Sequence, residues 1–215
     1  SNTALCVGPK IEYVAVKGQN PYTNEEAIYI LAEARLVAHF PTTKNEDGTE
    51  TAPEILWRGM GTDLVGLHYQ QLMPWVKPCD LVNDQVVDRT AEAFRIIPGD
   101  YVTTEDGTGI VHIAPTFGAD DDRVAKQQNI APLVVVDKAG KRQPMVDRTG
   151  KFFLMADMDP AFVASNVDAE AYREYEGRFV KNAYDPKLTD ADETLDVSIC
   201  MMLKAEGKVF KIEKH

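Results

Sequence analysis

The run from Gly107 to Asp121 constrains the fold of this 215-residue chain more than any other part of the sequence. It opens on the turn-forming residues Gly107–Gly109 and continues into a β-branched run at 110–113, which predicts a short strand. A proline and a glycine then interrupt the strand, and consecutive aspartates begin a predicted helix over 120–128. The sequence therefore predicts a turn, a strand and a helix start in immediate succession.

Elsewhere the sequence alternates short apolar runs with a few helical segments. A helix over 192–206 is expected to end at a left-handed Gly207. For residues 34–39 the sequence does not decide between a short helix and irregular structure. Many short strands with few helices predict an α+β fold with a β-barrel-like core. The remaining expectations are a half-buried strand over 11–16, strands over 27–31, 94–97, 101–103 and 133–136, and a helix within 160–174.

Length and composition fit one globular domain over residues 1–215, with 44% hydrophobic and 27% charged residues. Residues 41–56 are polar and show no apolar period, which predicts a surface insertion. The three cysteines lie far apart in the chain, so we expect reduced thiols and a cytoplasmic protein. No apolar run approaches the roughly 20 residues that span a bilayer, so no membrane contact is expected.

The net charge of -11 and the pI of about 4.8 argue against a free-standing nucleic-acid binder. Neutralising phosphates supplies much of the affinity for nucleic acid, and an acidic chain offers few cations for it. The chain is therefore not expected to hold a long stretch of RNA unaided.

The run from 107 to 121 resembles the editing-domain signature of isoleucyl-tRNA synthetases. Valyl and leucyl relatives share the Gly-Thr-Gly opening but carry another residue where His112 stands. A weaker likeness over 196–211 is similar to the closing helix and strand of that domain. The resemblance implies a domain that hydrolyses tRNA mischarged with valine, within a parent enzyme that is an isoleucine–tRNA ligase.

The same resemblance implies roles for individual residues. Asp121, nine residues beyond His112, would bind the α-ammonium group of the misattached amino acid and serve as the catalytic position. His112 would line the pocket that admits valine and refuses isoleucine. Thr108, Phe117 and Gly118 would also contact the substrate. The implied partners are the 3′ end of isoleucine tRNA carrying valine, valyl-adenylate and the remaining domains of the parent synthetase, with no cofactor.

The residues themselves leave other readings open. Alternation along the strand puts Val111 and Ile113 on the face opposite His112. His112 therefore faces either a cavity or the core, where its ring nitrogens would have hydrogen-bond partners. Asp120, Asp121 and Asp122 also suit a helix N-terminus, where each stabilises by some tenths of a kcal/mol. A charged carboxylate at that position is compatible with both readings, because an ammonium group needs the same charge.

Other chemistries find little support in the sequence. His39, His68 and His215 stand in no metal-ligand spacing with the aspartates, so no metal is expected. No Gly-x-Ser-x-Gly elbow or Cys/His signature indicates a nucleophile. The resemblance implies ester hydrolysis by a positioned water. In isoleucyl-tRNA synthetases themselves, the synthetic site prefers isoleucine over valine, which lacks one methylene, by only roughly 150-fold. A separate editing site is therefore needed to remove valine.

The sequence departs from the family in what these 215 residues contain. The threonine-rich segment that precedes the domain in the family is not among them, so hydrolysis by this segment alone is in doubt. The His-x-Gly-His and Lys-Met-Ser-Lys-Ser motifs for ATP-dependent activation are not among them either, so we expect no tRNA charging. Two alternatives stay open: a module that docks the tRNA end without cleaving it, and the editing domain of a valyl or leucyl relative.

Overall fold

The structure is a computed structural model that describes residues 1–181, 185–189 and 191–213. These residues form two compact units. We call residues 5–69, 95–112 and 209–213 the sheet unit, and residues 1–4, 70–94 and the described residues between 113 and 208 the helix-rich unit. Both units contain short strands and helices, so the predicted α+β class is confirmed. The described strands form sheets of two or three strands, and none of these sheets closes into a barrel.

The regular elements are short throughout the described part of the chain. In chain order the strands are β1 (Ala4–Val7), β2 (Glu12–Gln19), β3 (Glu26–Ala32), β4 (Thr43–Lys44), β5 (Glu50–Thr51), β6 (Glu54–Met60), β7 (Cys79–Val82), β8 (Gln85–Asp88), β9 (Arg95–Pro98), β10 (Ile110–Ile113), β11 (Val134–Val136) and β12 (Arg142–Pro144). The helices are α1 (Leu36–His39), α2 (Gly61–Leu64), α3 (Ala119–Gln127), α4 (Pro160–Asn166), α5 (Ala169–Tyr172) and α6 (Leu195–Ala205), with 3₁₀ turns at Glu33–Arg35 and Met155–Asp157.

The sheet unit is built around β2, which lies between β3 and β6 and is antiparallel to both. The expectation of a half-buried strand was wrong, because neighbours cover both faces of β2. Tyr13 packs in a cluster with Val7 and Ala32. Val14 and Val16 pack in a separate cluster. A second three-stranded sheet has the order β10–β1–β9.

The polar segment 41–56 forms a small exposed hairpin followed by the start of β6. Strands β4 and β5 pair antiparallel, with Thr43 opposite Thr51. Residues 41–52 are all exposed, and Gly48 at the tip has a left-handed φ of 82°. The exposure fits a surface segment, although the strand character of 54–56 was not expected. That residues 41–56 are an insertion stays a prediction, and we assign this segment no function.

The helix-rich unit holds its own apolar core around β11, whose three valines are buried. Phe162 of α4 and Tyr172 of α5 are fully buried in the same core. The Tyr172 hydroxyl donates to the Phe153 carbonyl at 2.7 Å, so its polar end has a partner. Burial raises the pKa of this phenol above its usual range. The helix predicted within 160–174 is present as α4, and α5 follows it in the same range; both contribute side chains to this core.

Capping residues explain where the later helices begin. The Asp159 side chain accepts from the Phe162 N–H at 2.9 Å, and Pro160 takes the first position of α4. The Thr194 side chain accepts from the Val197 N–H, so α6 begins at 195 rather than at 192. Gly207 follows α6 with a φ of 68°, as predicted for a left-handed residue after a helix.

The structure decides one alternative that the sequence left open and differs from two predictions. Residues 34–39 are helical, as a 3₁₀ turn followed by α1. Residues 101–103 are not a strand, since β9 ends at Pro98, which has no N–H for further pairing. Residues 208–211, where the resemblance over 196–211 implied a closing strand, are irregular.

Cys6, Cys79 and Cys200 are not joined by disulfides in the structure. None of the helices in the described residues is long and apolar enough to cross a membrane.

Candidate functional site

The boundary between the two units falls between His112 and Ile113. Thr108 and His112 therefore belong to the sheet unit. Phe117, Gly118 and Asp121 belong to the helix-rich unit, where they surround the start of α3.

The Gly107–Gly109 turn depends on its two glycines. Both have left-handed φ values, 56° at Gly107 and 76° at Gly109. A Cβ at Gly109 would lie 2.5 Å from the Ala32 Cβ, so a side chain has no room there. Thr108 between them is exposed, and its hydroxyl lies 3.4 Å from the Ile110 nitrogen. The turn thus presents Thr108 to the solvent at the entrance to β10.

His112 is exposed on β10, while Ile113 beside it is fully buried. The interpretation of His112 as a satisfied core histidine is therefore wrong. Strand alternation explains the difference, because successive side chains leave a strand on opposite faces. The imidazole is open to solvent and could meet a ligand.

Asp121 is fixed by the turn that precedes α3. Its Oδ2 accepts a hydrogen bond from the Ala114 N–H at 2.9 Å. Gly118 is the N-cap residue of α3, and a Cβ at that position would lie 3.0 Å from the Asp121 Cγ. The missing side chain at 118 thus gives the carboxylate room to fold back against the turn. A partly buried carboxylate with one oxygen committed to the backbone is the result.

The three aspartates at the start of α3 differ in their partners. Asp120 pairs with Arg123 at 3.4 Å, and Asp122 pairs with Lys126 at 2.6 Å. Asp121 forms no ion pair with any residue that the structure describes. Asp121 is therefore the carboxylate of this cluster whose charge is not already matched by a basic side chain.

An exposed aromatic side chain, Phe117, stands four residues before Asp121 in the chain. Phe117 is 57% exposed, which is unusual for a large apolar side chain. Its backbone N–H donates to the Ala114 carbonyl at 3.0 Å and closes the 114–117 turn. The exposed ring and the unpaired carboxylate offer an apolar contact and a negative charge on the same short segment.

A cleft in the helix-rich unit was not foreseen from the sequence. It encloses about 520 Å³ and is lined by polar side chains that include Asp80, Arg89, Asp122, Lys126 and Arg142. The cations at its wall are already paired, since both arginines bind Asp80 and Lys126 binds Asp122. Asp121 and Phe117 do not line it. Widely separated residues form this cleft, so no local pattern could have indicated it.

Metal and thiol chemistry have no support at these positions. Within the described residues, no group of three or more His, Cys, Asp or Glu side chains is placed to hold a metal ion. Burial raises the pKa of the Cys79 thiol to about 11, which keeps it protonated at neutral pH. The arrangement offers recognition of a charged and apolar ligand rather than a nucleophile.

Comparison with known proteins identifies what the chain is similar to. No family model matches it. Three curated relatives are all tRNA ligases. The isoleucine–tRNA ligase of Bacteroides fragilis is 54% identical over 100% of this chain and 19% of that protein. That of Porphyromonas gingivalis is 48% identical over 100% and 19%. That of Treponema denticola is 33% identical over 98% and 15%.

The chain belongs to the isoleucine–tRNA ligase family, and it spans about a fifth of the length of the first two relatives. The expected resemblance is thereby confirmed for the family. The crystal structure of GlLeuRS-CP1 aligns with 99% of this chain and 79% of that chain. The TM-score of this alignment is 0.43 and the sequence identity is 16%.

Proposed function

We propose that this chain is the editing domain of an isoleucine–tRNA ligase and acts as an aminoacyl-tRNA deacylase. Its substrate would be isoleucine tRNA carrying valine on the 3′ end, with valyl-adenylate as a second substrate. The named relatives are isoleucine ligases, which favours this proposal over an editing domain of valyl or leucyl type. The remaining domains of the parent enzyme would hold the tRNA body, since this acidic chain offers few cations.

One observation carries the proposal: Asp121 is the aspartate at the start of α3 that has no cationic partner in the described structure. The substrate amine is a cation, and a carboxylate already held by the Ala114 N–H would bind it without further ordering. The second carboxylate oxygen would accept from the ammonium group. Asp121 would thus fix the position of the ester relative to an attacking water.

The other site residues are proposed to act by shape and contact. His112 would limit the size of the amino-acid side chain, and its exposure makes such contact feasible. Phe117 would supply an apolar surface, which suits its exposed ring. Thr108 would offer a hydroxyl, and Gly118 would leave the space that the Asp121 carboxylate occupies.

The proposed reaction needs no covalent intermediate. Water adds to the ester carbonyl, the bond to the ribose oxygen breaks, and free valine and an uncharged tRNA end are released. An aminoacyl ester is already reactive, so holding the amine and the water in place lowers the barrier through orientation. We assign this reaction to the cytoplasm, where cysteine thiols such as the three of this chain, none of which is in a disulfide, stay reduced.

Calorimetric titration with a non-hydrolysable valyl-adenosine analogue tests the amine site. Asp121→Asn keeps an acceptor for the Ala114 N–H but removes the charge, so the fold should be retained. Losing a charged hydrogen bond of about 1.5–3 kcal/mol predicts roughly 10- to 150-fold weaker binding. Asp121→Ala should abolish measurable binding.

Asp120→Asn is the matched control, because it removes the same charge from the same helix turn and breaks an exposed ion pair with Arg123. Its affinity should change by less than about threefold. Equal affinities of wild type and Asp121→Asn would reject the amine site. Tight analogue binding with no hydrolysis of valyl-tRNA would favour the docking module instead.

A further inference from the structure

The Gly107–Gly109 turn has an unusual feature that its role in the sequence signature does not explain. Each of its three successive carbonyl oxygens accepts a hydrogen bond from the protein. The Gly107 oxygen accepts from the Arg35 Nε at 2.9 Å and bonds the His39 Nε2 at 2.8 Å. The carbonyls of an exposed turn ordinarily accept hydrogen bonds from water. In this turn they accept from residues outside the turn instead.

The next two carbonyls are held from the neighbouring strands. The Thr108 oxygen accepts from the Ala32 N–H at 2.8 Å, at the end of β3. The Gly109 oxygen accepts from the Tyr13 hydroxyl at 2.6 Å, deep in the sheet unit. The backbone of the turn therefore has little freedom to rotate, and its carbonyls face the segment that follows β3.

Arg35 and His39 supply the exposed half of this attachment. A carbonyl oxygen only accepts, so the His39 Nε2 must carry a hydrogen in this bond. Arg35 also donates from Nη1 to the Glu105 carbonyl at 3.2 Å and so spans the approach to the turn. No residue of the 3₁₀ turn or of α1 is fully buried, so both side chains reach the turn from a surface segment.

We propose that Arg35 and His39 are positioning residues for the editing site. They fix the Gly107 carbonyl, and through it the direction in which Thr108 and the first residues of β10 leave the turn. His112 lies on that strand, so its position depends on the same attachment. Neither Arg35 nor His39 needs to touch the substrate. The effect on catalysis rests on the proposed editing function, whereas the attachment of the turn does not.

Amide hydrogen exchange at Ala32 reports on the attachment directly, because that N–H donates to the Thr108 carbonyl. In the 215-residue chain carrying both Arg35→Ala and His39→Ala, Ala32 exchange should accelerate about tenfold, a factor equivalent to about 1.4 kcal/mol. Exchange at Val14, in the centre of the same sheet, should stay within twofold. If the double variant does not fold, His39→Ala alone should give a smaller change of the same kind.

Arg58→Ala is the matched control, because Arg58 pairs with Glu33 in the same 3₁₀ turn as Arg35 but does not reach the Gly107–Gly109 turn. It removes one exposed arginine and one ion pair and should leave Ala32 exchange unchanged. Ala32 exchange that is unaffected in the double variant, or equally affected by Arg58→Ala, would overturn the proposal.

Selectivity separates a positioning role from a merely structural one. Preference for valyl over isoleucyl esters should fall several-fold in His39→Ala with an unchanged unfolding midpoint. His39→Gln should restore it, because the glutamine amide also donates. These assays use the chain extended upstream through the family's threonine-rich segment. If that wild-type chain hydrolyses neither ester, the editing function fails while the exchange result still decides the attachment. If wild type discriminates and His39→Ala does so equally, the positioning role fails alone.

Discussion

Replacing Tyr13 with phenylalanine should destabilise the sheet unit strongly although it removes one oxygen atom. Tyr13 is fully buried, and its hydroxyl joins two loops. It donates to the Gly109 carbonyl at 2.6 Å and accepts from the Gly8 N–H at 2.9 Å. Burial raises the pKa of this phenol, so the hydroxyl stays protonated and able to donate.

The magnitude follows from the two backbone groups that lose their partner. Gly8 and Gly109 are both buried, so water does not readily replace the hydroxyl. An unsatisfied buried donor or acceptor costs about 1–3 kcal/mol, and the phenylalanine ring leaves no large cavity. Tyr13→Phe should therefore lower the free energy of unfolding by roughly 2–6 kcal/mol.

Equilibrium urea unfolding followed by far-ultraviolet circular dichroism measures this change. Tyr22→Phe is the matched control, since Tyr22 is 38% exposed and its hydroxyl accepts from the Ile212 N–H at 3.2 Å. That variant should lose less than about 1 kcal/mol. A loss in Tyr13→Phe no larger than in Tyr22→Phe would show that water or movement satisfies the two glycines, and the reasoning would be refuted.

Three further outcomes are expected. His112→Ala should leave the unfolding midpoint unchanged, because the side chain is exposed, while hydrolysis of isoleucyl esters rises relative to valyl esters; a lower midpoint with unchanged selectivity would contradict this. The chain should bind tRNA weakly in a titration at two salt concentrations, since its charge is -11 and each neutralised phosphate adds only about 0.9 to the salt slope for a duplex; steep dependence would reveal a basic surface. Hydrogen bonds from the Lys141 N–H and the Gln143 side chain lower the pKa of Asp137 in the folded chain. The ionised Asp137 side chain therefore stabilises the β11–β12 turn fully above roughly pH 3.9, the ordinary pKa of a carboxyl group. This stabilisation is lost as the pH falls through the lowered pKa of the folded state. Amide exchange of Lys141 between pH 5 and pH 2 should show the loss in wild type and its disappearance in Asp137→Asn.

Local patterns accounted for the elements that depend on near neighbours. The strand over 110–113, the start of α3 and the left-handed Gly207 all follow from residues a few positions apart. The exposure of His112 also follows from strand alternation, once Ile113 is known to be buried.

Long-range contacts account for what the sequence did not reveal. The bond from Tyr13 to Gly109 spans 96 positions, and that from Arg35 to Gly107 spans 72. Both faces of β2 are buried because strands and helices from elsewhere in the chain cover it, which alternation within β2 cannot indicate. The distinct environment of Asp121 depends on which neighbouring aspartates find cations, and that is a property of side-chain placement.

The most direct test of the editing function compares the hydrolysis of valyl and isoleucyl esters of isoleucine tRNA. The measurement uses the 215-residue chain and a version extended upstream through the family's threonine-rich segment, each beside its Asp121→Asn variant. The extended chain should hydrolyse the valyl ester in clear preference to the isoleucyl ester, and Asp121→Asn should reduce that rate by roughly 10- to 150-fold. Equal rates for both esters, or valyl hydrolysis that does not depend on Asp121, would contradict the account.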